Sequence, residues 1–170
     1  MRLRVAGIIE ESVVDGPGLR LVVFVQGCPH RCPGCHNPHT WDPAGGTLME
    51  VEEILAMVKR NPLLKGVTLS GGEPFAQAGA LAVLARQVRA LGRDVITYTG
   101  YTWEKLLELA GRDGAVKELV ELSDYIVDGP FIQEKRDPEL PFRGSSNQRV
   151  IDVPASLACG RVVIAPWGGQ

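Results

Sequence analysis

Residues 25–42 read VQGCPHRCPGCHNPHTWD, and three of the chain's four cysteines, Cys28, Cys32 and Cys35, fall within eight residues of it. The run just before, LRLVVFV from Leu19 to Val25, is short, β-branched and aromatic, the composition of a buried strand that ends at Gly27. The thiols therefore leave the carboxyl end of a strand on a single loop. That placement sets the search for the rest of the fold.

Downstream, GVTLSGG (66–72), DVITYTG (94–100), DYIVDG (124–129) and QRVIDV (148–153) read as further strands, with RVVIA (161–165) as a sixth. Between them lie helical patterns. TLMEVEEILAMVKRN (47–61) starts on a Thr47/Glu50 capping pattern and puts Ile54, Leu55 and Val58 on one face. AGALAVLARQVRALG (78–92) aligns Leu81, Leu84, Ala85, Val88 and Leu91 and stops at Gly92. TWEKLLELA (102–110), capped by Thr102, and AVKELVELS (115–123) complete the set. Alternating strands and helices predict right-handed crossovers and a mostly parallel sheet. In such sheets ligands bind beyond the carboxyl ends of the strands. The cysteines, SGGEP, TGY and DGPF each follow a strand, so all four are expected on one rim.

The bulk numbers narrow the class. A chain of 170 residues with 45% hydrophobic and 22% charged residues is one globular domain, taken here as 1–170, with no internal linker or repeat. A net charge of −2 gives no electrostatic footprint for nucleic acid or a membrane surface. No apolar run spans a bilayer, and charged Glu10 and Glu11 interrupt the first apolar stretch, unlike a signal peptide. The expected compartment is the cytoplasm, where clustered cysteines mean metal or redox chemistry.

Cys28-x3-Cys32-x2-Cys35 can wrap one inorganic centre. A structural zinc would need a fourth ligand, from His30, His36, His39 or Cys159. A cubane iron–sulfur cluster held by three thiolates would keep one iron open for a substrate. The spacing alone leaves both open. Gly71 and Gly72 permit close backbone approach to a ligand, and Glu73 offers a carboxylate to an ammonium.

With SGGEP following the next strand, CxxxCxxC resembles the radical S-adenosylmethionine (SAM) superfamily. VVDGPGLR (Val13–Arg20) and CHNPHTWD (35–42) are similar to its glycyl-radical-enzyme activases. TGYTWEKL (99–106) and VDGPFIQEKRDPELPFRGSSNQRVID (127–152), with FRGSSNQR the most discriminating part, resemble the activating proteins of anaerobic ribonucleoside-triphosphate reductases. The resemblance implies a [4Fe–4S] cluster on Cys28, Cys32 and Cys35, with SAM chelated at the open iron. One-electron cleavage of SAM would then give a 5′-deoxyadenosyl radical that takes hydrogen from a glycine of the partner reductase. An electron donor such as flavodoxin or ferredoxin is implied. The implied fold is an incomplete parallel βα barrel of about five or six strands, its open side admitting a protein substrate.

On the same basis Ser70, Gly71, Gly72, Glu73 and Pro74 are expected at the methionine end of SAM. Thr97 and Thr99 are candidates for the ribose, His36 for the adenine, and Asp128 for a ligand contact. Asn147 and Arg149 are candidates for the methionine carboxylate or the partner's glycine loop. Asp15 and Arg20 are expected on the active rim. His30 and His39 are expected at the loop surface, Trp41 as a packing anchor and Cys159 as a small buried residue. Three rivals remain: an activase of another glycyl radical enzyme, a small-molecule radical enzyme such as a deazapurine synthase, and a non-catalytic zinc-stapled module.

Overall fold

The computed structural model describes residues 1–168; Gly169 and Gln170 lie outside the described residues. Among the described residues there are seven strands: β1 (Arg2–Ser12), β2 (Arg20–Val25), β3 (Thr47–Glu50), β4 (Gly66–Gly71), β5 (Asp94–Tyr98), β6 (Tyr125–Asp128) and β7 (Arg149–Asp152). The helices are α1 (Val51–Arg60), α2 (Ala78–Ala90), α3 (Trp103–Ala110), α4 (Gly114–Leu122) and α5 (Val153–Cys159). The strands form one sheet in the order β3-β1-β2-β4-β5-β6-β7.

Strands β2, β4, β5 and β6 are mutually parallel. Because they follow one another in a single direction across the sheet, right-handed crossovers put their helices on one face. That face holds the main core, where Val23, Leu69 and Ile126 meet Ile54, Leu81, Leu84 and Leu119. The periodic apolar positions Ile54, Leu55 and Val58 of α1 and Leu81, Leu84, Ala85 and Val88 of α2 are all buried, as the sequence predicts. Leu91 is 40% exposed, because α2 has ended and the chain turns through left-handed Gly92. On the other face Ile96, Val127 and Val150 pack with Ala165 and Trp167 of the C-terminal segment.

The sheet departs from expectation in three ways. It is mixed rather than mostly parallel: β1 and β3 on one side and β7 on the other run antiparallel to their neighbours. It has seven strands rather than five or six, since β1 and β3 were not expected. The pattern in 47–50 misleads because Thr47 begins the short edge strand β3. The true N-cap of α1 is Glu50, whose backbone N–H donates to Glu53 Oε1 at 3.1 Å. Finally, 161–165 makes only a bridge between Ile164 and Ile151. Among the described residues no helix is long and apolar enough to cross a membrane.

Arg20 is expected on the rim but stands at the amino end of β2, fully buried. Its guanidinium donates to Thr68 Oγ1 (2.8 Å), to the carbonyls of Pro17 (3.1 Å) and Val67 (3.1 Å), and to Asp94 Oδ1. These bonds lash the 13–19 loop and the starts of β4 and β5 together at the edge opposite the cysteines. Truncating one partner of a buried ion pair strands the other charge. Arg20→Met is therefore expected to lower unfolding free energy by about 3 kcal/mol in urea titration.

Candidate functional site

At the carboxyl ends of the parallel strands lies a cavity of about 400 Å³, within the range of small-molecule sites. The thiols of Cys28, Cys32 and Cys35 line one part of it, and Ser70, Gly71 and Gly72 line another. Tyr98, Thr99 and Gly100 come from the end of β5, and Phe131, Phe142 and Arg143 from the segment after β6. The expected convergence on one rim is what the parallel register produces.

The cysteine loop is fixed at its ends by backbone. Gly27 N–H donates to the Thr40 carbonyl (2.6 Å) and Cys28 N–H to that of Trp41 (3.1 Å). Within it, Cys35 N–H bonds the Cys32 carbonyl (3.1 Å) and Asn37 N–H reaches Cys35 Sγ (3.4 Å). Burial pushes the Cys28 thiol above its ordinary value, partly offset by the backbone N–H groups of His30 and Arg31. Among the described residues no three His, Cys, Asp or Glu side chains converge as ligands of a single ion.

The two glycines of SGGEP have an internal reason to be glycine. Gly71 has φ 92°, and a Cβ there would collide with the Phe24–Val25 backbone. A Cβ on Gly72 would overlap the Gly27 carbonyl. The turn thus presses directly against the start of the cysteine loop, and Gly72 N–H and Glu73 N–H bond the carbonyls of Val25 and Gly27 (2.8 Å each).

Glu73 is fully buried and its carboxylate is occupied. Oε2 accepts from Phe75 N–H (3.0 Å), Oε1 from Gly100 N–H (2.9 Å), and Thr99 Oγ1 donates to both oxygens (2.9 Å). His30 Nε2 lies 2.6 Å from Oε1. His30 is therefore not at the loop surface as expected: it is folded inward, its ring edge-on to Tyr101 at 4.5 Å. Pro74, the first residue of the 3₁₀ turn that follows, is buried.

Several other candidates stand behind the cavity rather than in it. Thr97 is fully buried, its hydroxyl 2.7 Å from that of Ser123. Asp128, 1% exposed, accepts from Trp103 N–H (2.8 Å), from the backbone N–H (3.1 Å) and Nε (3.1 Å) of Arg149, and from its terminal nitrogen (2.5 Å). Arg149 continues to Glu104 (2.8 Å), whose carboxyl it holds below the usual range. Asn147 donates to the Pro130 carbonyl (2.8 Å), pinning the base of the 129–148 segment. His36 is exposed at the mouth, edge-on to Phe131 at 5.4 Å. Asp15 also lines the cavity. His39 is exposed as expected, Trp41 is half-buried beneath the Arg31 guanidinium, and Cys159 is exposed at the end of α5, where a seven-residue helix leaves it uncovered.

Tyr98 is a site residue that sequence reasoning missed: its hydroxyl donates to the Phe142 carbonyl (2.5 Å), and burial pushes the phenol upward. Phe131, Leu140 and Phe142 were also missed. Their signal was that, with Ile132, they are the four large apolar residues of an otherwise polar connection.

Residues 14–151 match the family described as the 4Fe-4S single cluster domain. The anaerobic ribonucleoside-triphosphate reductase-activating protein of Vibrio cholerae serotype O1 is 40% identical over 145 residues, 81% of this chain and 90% of that one. Its counterpart from Escherichia coli (strain K12) is 37% identical over 147 residues, 82% and 92% of the two chains. A solved structure, QueE from Escherichia coli, has a TM-score of 0.48 at 21% identity, covering 60% of this chain and 54% of that one. The chain belongs to the family of anaerobic ribonucleoside-triphosphate reductase-activating proteins.

The Asp128–Arg149 pair gives a prediction that needs no cofactor. Arg149→Met leaves a buried carboxylate without its cation and is expected to cost about 3 kcal/mol in the metal-free chain. The check is the urea midpoint of the variant against that of Arg149→Lys, which keeps the charge and is expected to lose less.

Proposed function

We propose that the chain is a radical SAM activase that generates the glycyl radical of an anaerobic ribonucleoside-triphosphate reductase. The observation that carries this is the opening of Cys28, Cys32, Cys35 and the Ser70–Gly72 turn onto one cavity at the strand ends. The donor set fits an iron–sulfur centre: three cysteines on one loop, all lining the cavity. The relatives' names supply the partner.

Cys28, Cys32 and Cys35 would hold a [4Fe–4S] cluster, with SAM beside it. When bound, the pair supplies one-electron cleavage of the sulfonium to methionine and a 5′-deoxyadenosyl radical, which takes hydrogen from a partner glycine. The chain's own residues do the placing. The N–H groups of His30, Arg31 and Asn37 stabilise thiolate charge. The backbone of Ser70, Gly71 and Gly72 receives the methionine end, and Glu73 and Pro74 hold that turn in shape. Thr99 borders the ribose and His36, with Phe131, the adenine. Thr97, Asp128, Asn147 and Arg149 act from behind, keeping the strand ends and the 129–148 segment in place. Phe131, Leu140 and Phe142 keep water from the reacting centre.

The one-directional strand order with helices on a single face supports an incomplete βα barrel. Edges β3 and β7 are unpaired to each other, and the partner's glycine loop would enter through that gap. A flavodoxin or ferredoxin in the cytoplasm would supply the electron.

Two outcomes test this. Cys28→Ser, Cys32→Ser and Cys35→Ser are each expected to lose most of the bound iron after anaerobic reconstitution, whereas Cys159→Ser keeps it. Incubating the reduced protein and SAM with the reductase carrying deuterated glycine is expected to give a glycyl-radical resonance and deuterated 5′-deoxyadenosine. Deuterium-free 5′-deoxyadenosine without that resonance would refute the activase reading.

A further inference from the structure

His30 is the one side chain of the Cys28–Cys32 arc that reaches down to the strand ends. Arg31, with φ 48°, turns the backbone and leaves the His30 ring pointing inward, its side chain 16% exposed. The ring sits in a built slot. Gly100 is the floor, since a Cβ there would overlap the His30 ring. Tyr101 is the wall, edge-on at 4.5 Å. The end is Glu73 Oε1, 2.6 Å from Nε2. An ionised carboxylate only accepts, so Nε2 carries the donated proton.

Glu73 is itself immobilised by Phe75, Thr99 and Gly100. A donor placed on such a fixed acceptor has little freedom in direction or distance. His30 lies two residues from both Cys28 and Cys32, so this contact restrains the height of two thiols above the sheet. The same carboxylate caps the 3₁₀ turn at Pro74–Gln77 that follows Gly71 and Gly72. This side-chain hydrogen bond thus adds, to the backbone bond of Glu73 N–H with the Gly27 carbonyl at the start of the cysteine loop, a second tie between the loop and the turn that faces it.

We propose that His30 is a positioning residue. Seated between Glu73, Tyr101 and Gly100, its imidazole sets the placement of the Cys28–Cys32 arc relative to the Ser70–Glu73 turn. Resting on the cluster reading above, it thereby fixes how the cluster's open iron meets the methionine end of SAM.

Two variants separate the donor from the ring. H30Q keeps an N–H that can reach Glu73; H30F keeps a ring against Tyr101 but has no donor. The first readout uses the metal-free chain: iodoacetamide alkylation of Cys28 and Cys32, followed by mass spectrometry with exposed Cys159 as the internal reference. Losing the tether is expected to raise both rates about fivefold in H30F and to leave H30Q within about twofold of the natural chain. The second readout is SAM binding to the reconstituted, reduced protein. H30F is expected to bind about tenfold more weakly, with a smaller SAM-induced change in the electron paramagnetic resonance spectrum at equal iron content, and H30Q to restore both. G100A, whose methyl displaces the ring, is expected to reproduce H30F, and H30A/G100A to be no worse than G100A alone.

Equal alkylation in H30F and the natural chain would overturn the tether. Faster alkylation with unchanged SAM affinity and spectrum would overturn the positioning role. If the natural chain assembles no cluster, the cluster reading falls and the positioning role with it, while alkylation still reports on the tether.

Discussion

The Glu73 carboxylate governs the geometry of this molecule. It lies at 0% exposure where four pieces of chain meet: the turn after β4, the end of β5, the start of the following 3₁₀ turn and the cysteine loop. A buried carboxylate is costly unless its lone pairs are filled, and here backbone and side-chain donors fill them. The consequence is rigidity. None of the four pieces can shift without exposing an unmet charge, so the cavity walls are held in a fixed relation before any ligand arrives. Glycine at 71, 72 and 100 is part of the same device, because each lets a neighbour approach closer than a side chain would allow.

Charge is handled alike elsewhere. Arg20 and Asp94 brace the amino edge of the sheet, and Asp128 and Arg149 brace the start and end of the long 129–148 connection. This explains why Thr97, Asp128, Asn147 and Arg149 are absent from the cavity lining. A strand-end aspartate such as Asp128 can face the rim or turn back to cap a helix; here it accepts from Trp103 N–H at the first turn of α3. The cavity lining falls instead largely to backbone, to aromatic rings and to the cysteines, with Asp15 and Arg143 among its polar residues. Under the proposed function the aromatic part of that lining would keep water from the reacting centre.

The parallel strands and amphipathic helices were legible in the sequence because period and punctuation agreed: β-branched runs ending in glycine, and apolar faces ending in caps. The cysteines, SGGEP and the end of β5 were legible as a site for the same reason, since parallel strands put their carboxyl ends on one edge. Strands β1 and β3 were not. They lie at one side of the sheet, half exposed, with weak alternation, and the edge strand β3 is four residues borrowed from an apparent helix start. Side-chain direction was equally hidden. Nothing in CPHRC says that His30 turns inward; that follows from the left-handed Arg31 and from a slot assembled by Glu73, Gly100 and Tyr101, distant in sequence.

The central claim is that three thiols on a rigid rim leave one metal of a cluster open to a ligand. The most direct measurement is Mössbauer spectroscopy of the protein reconstituted with ⁵⁷Fe, recorded with and without SAM. The account predicts a [4Fe–4S] spectrum in which one iron of the four changes its isomer shift when SAM is added. A spectrum in which all irons are indifferent to SAM, or a protein that takes up one zinc and no cluster, would contradict it.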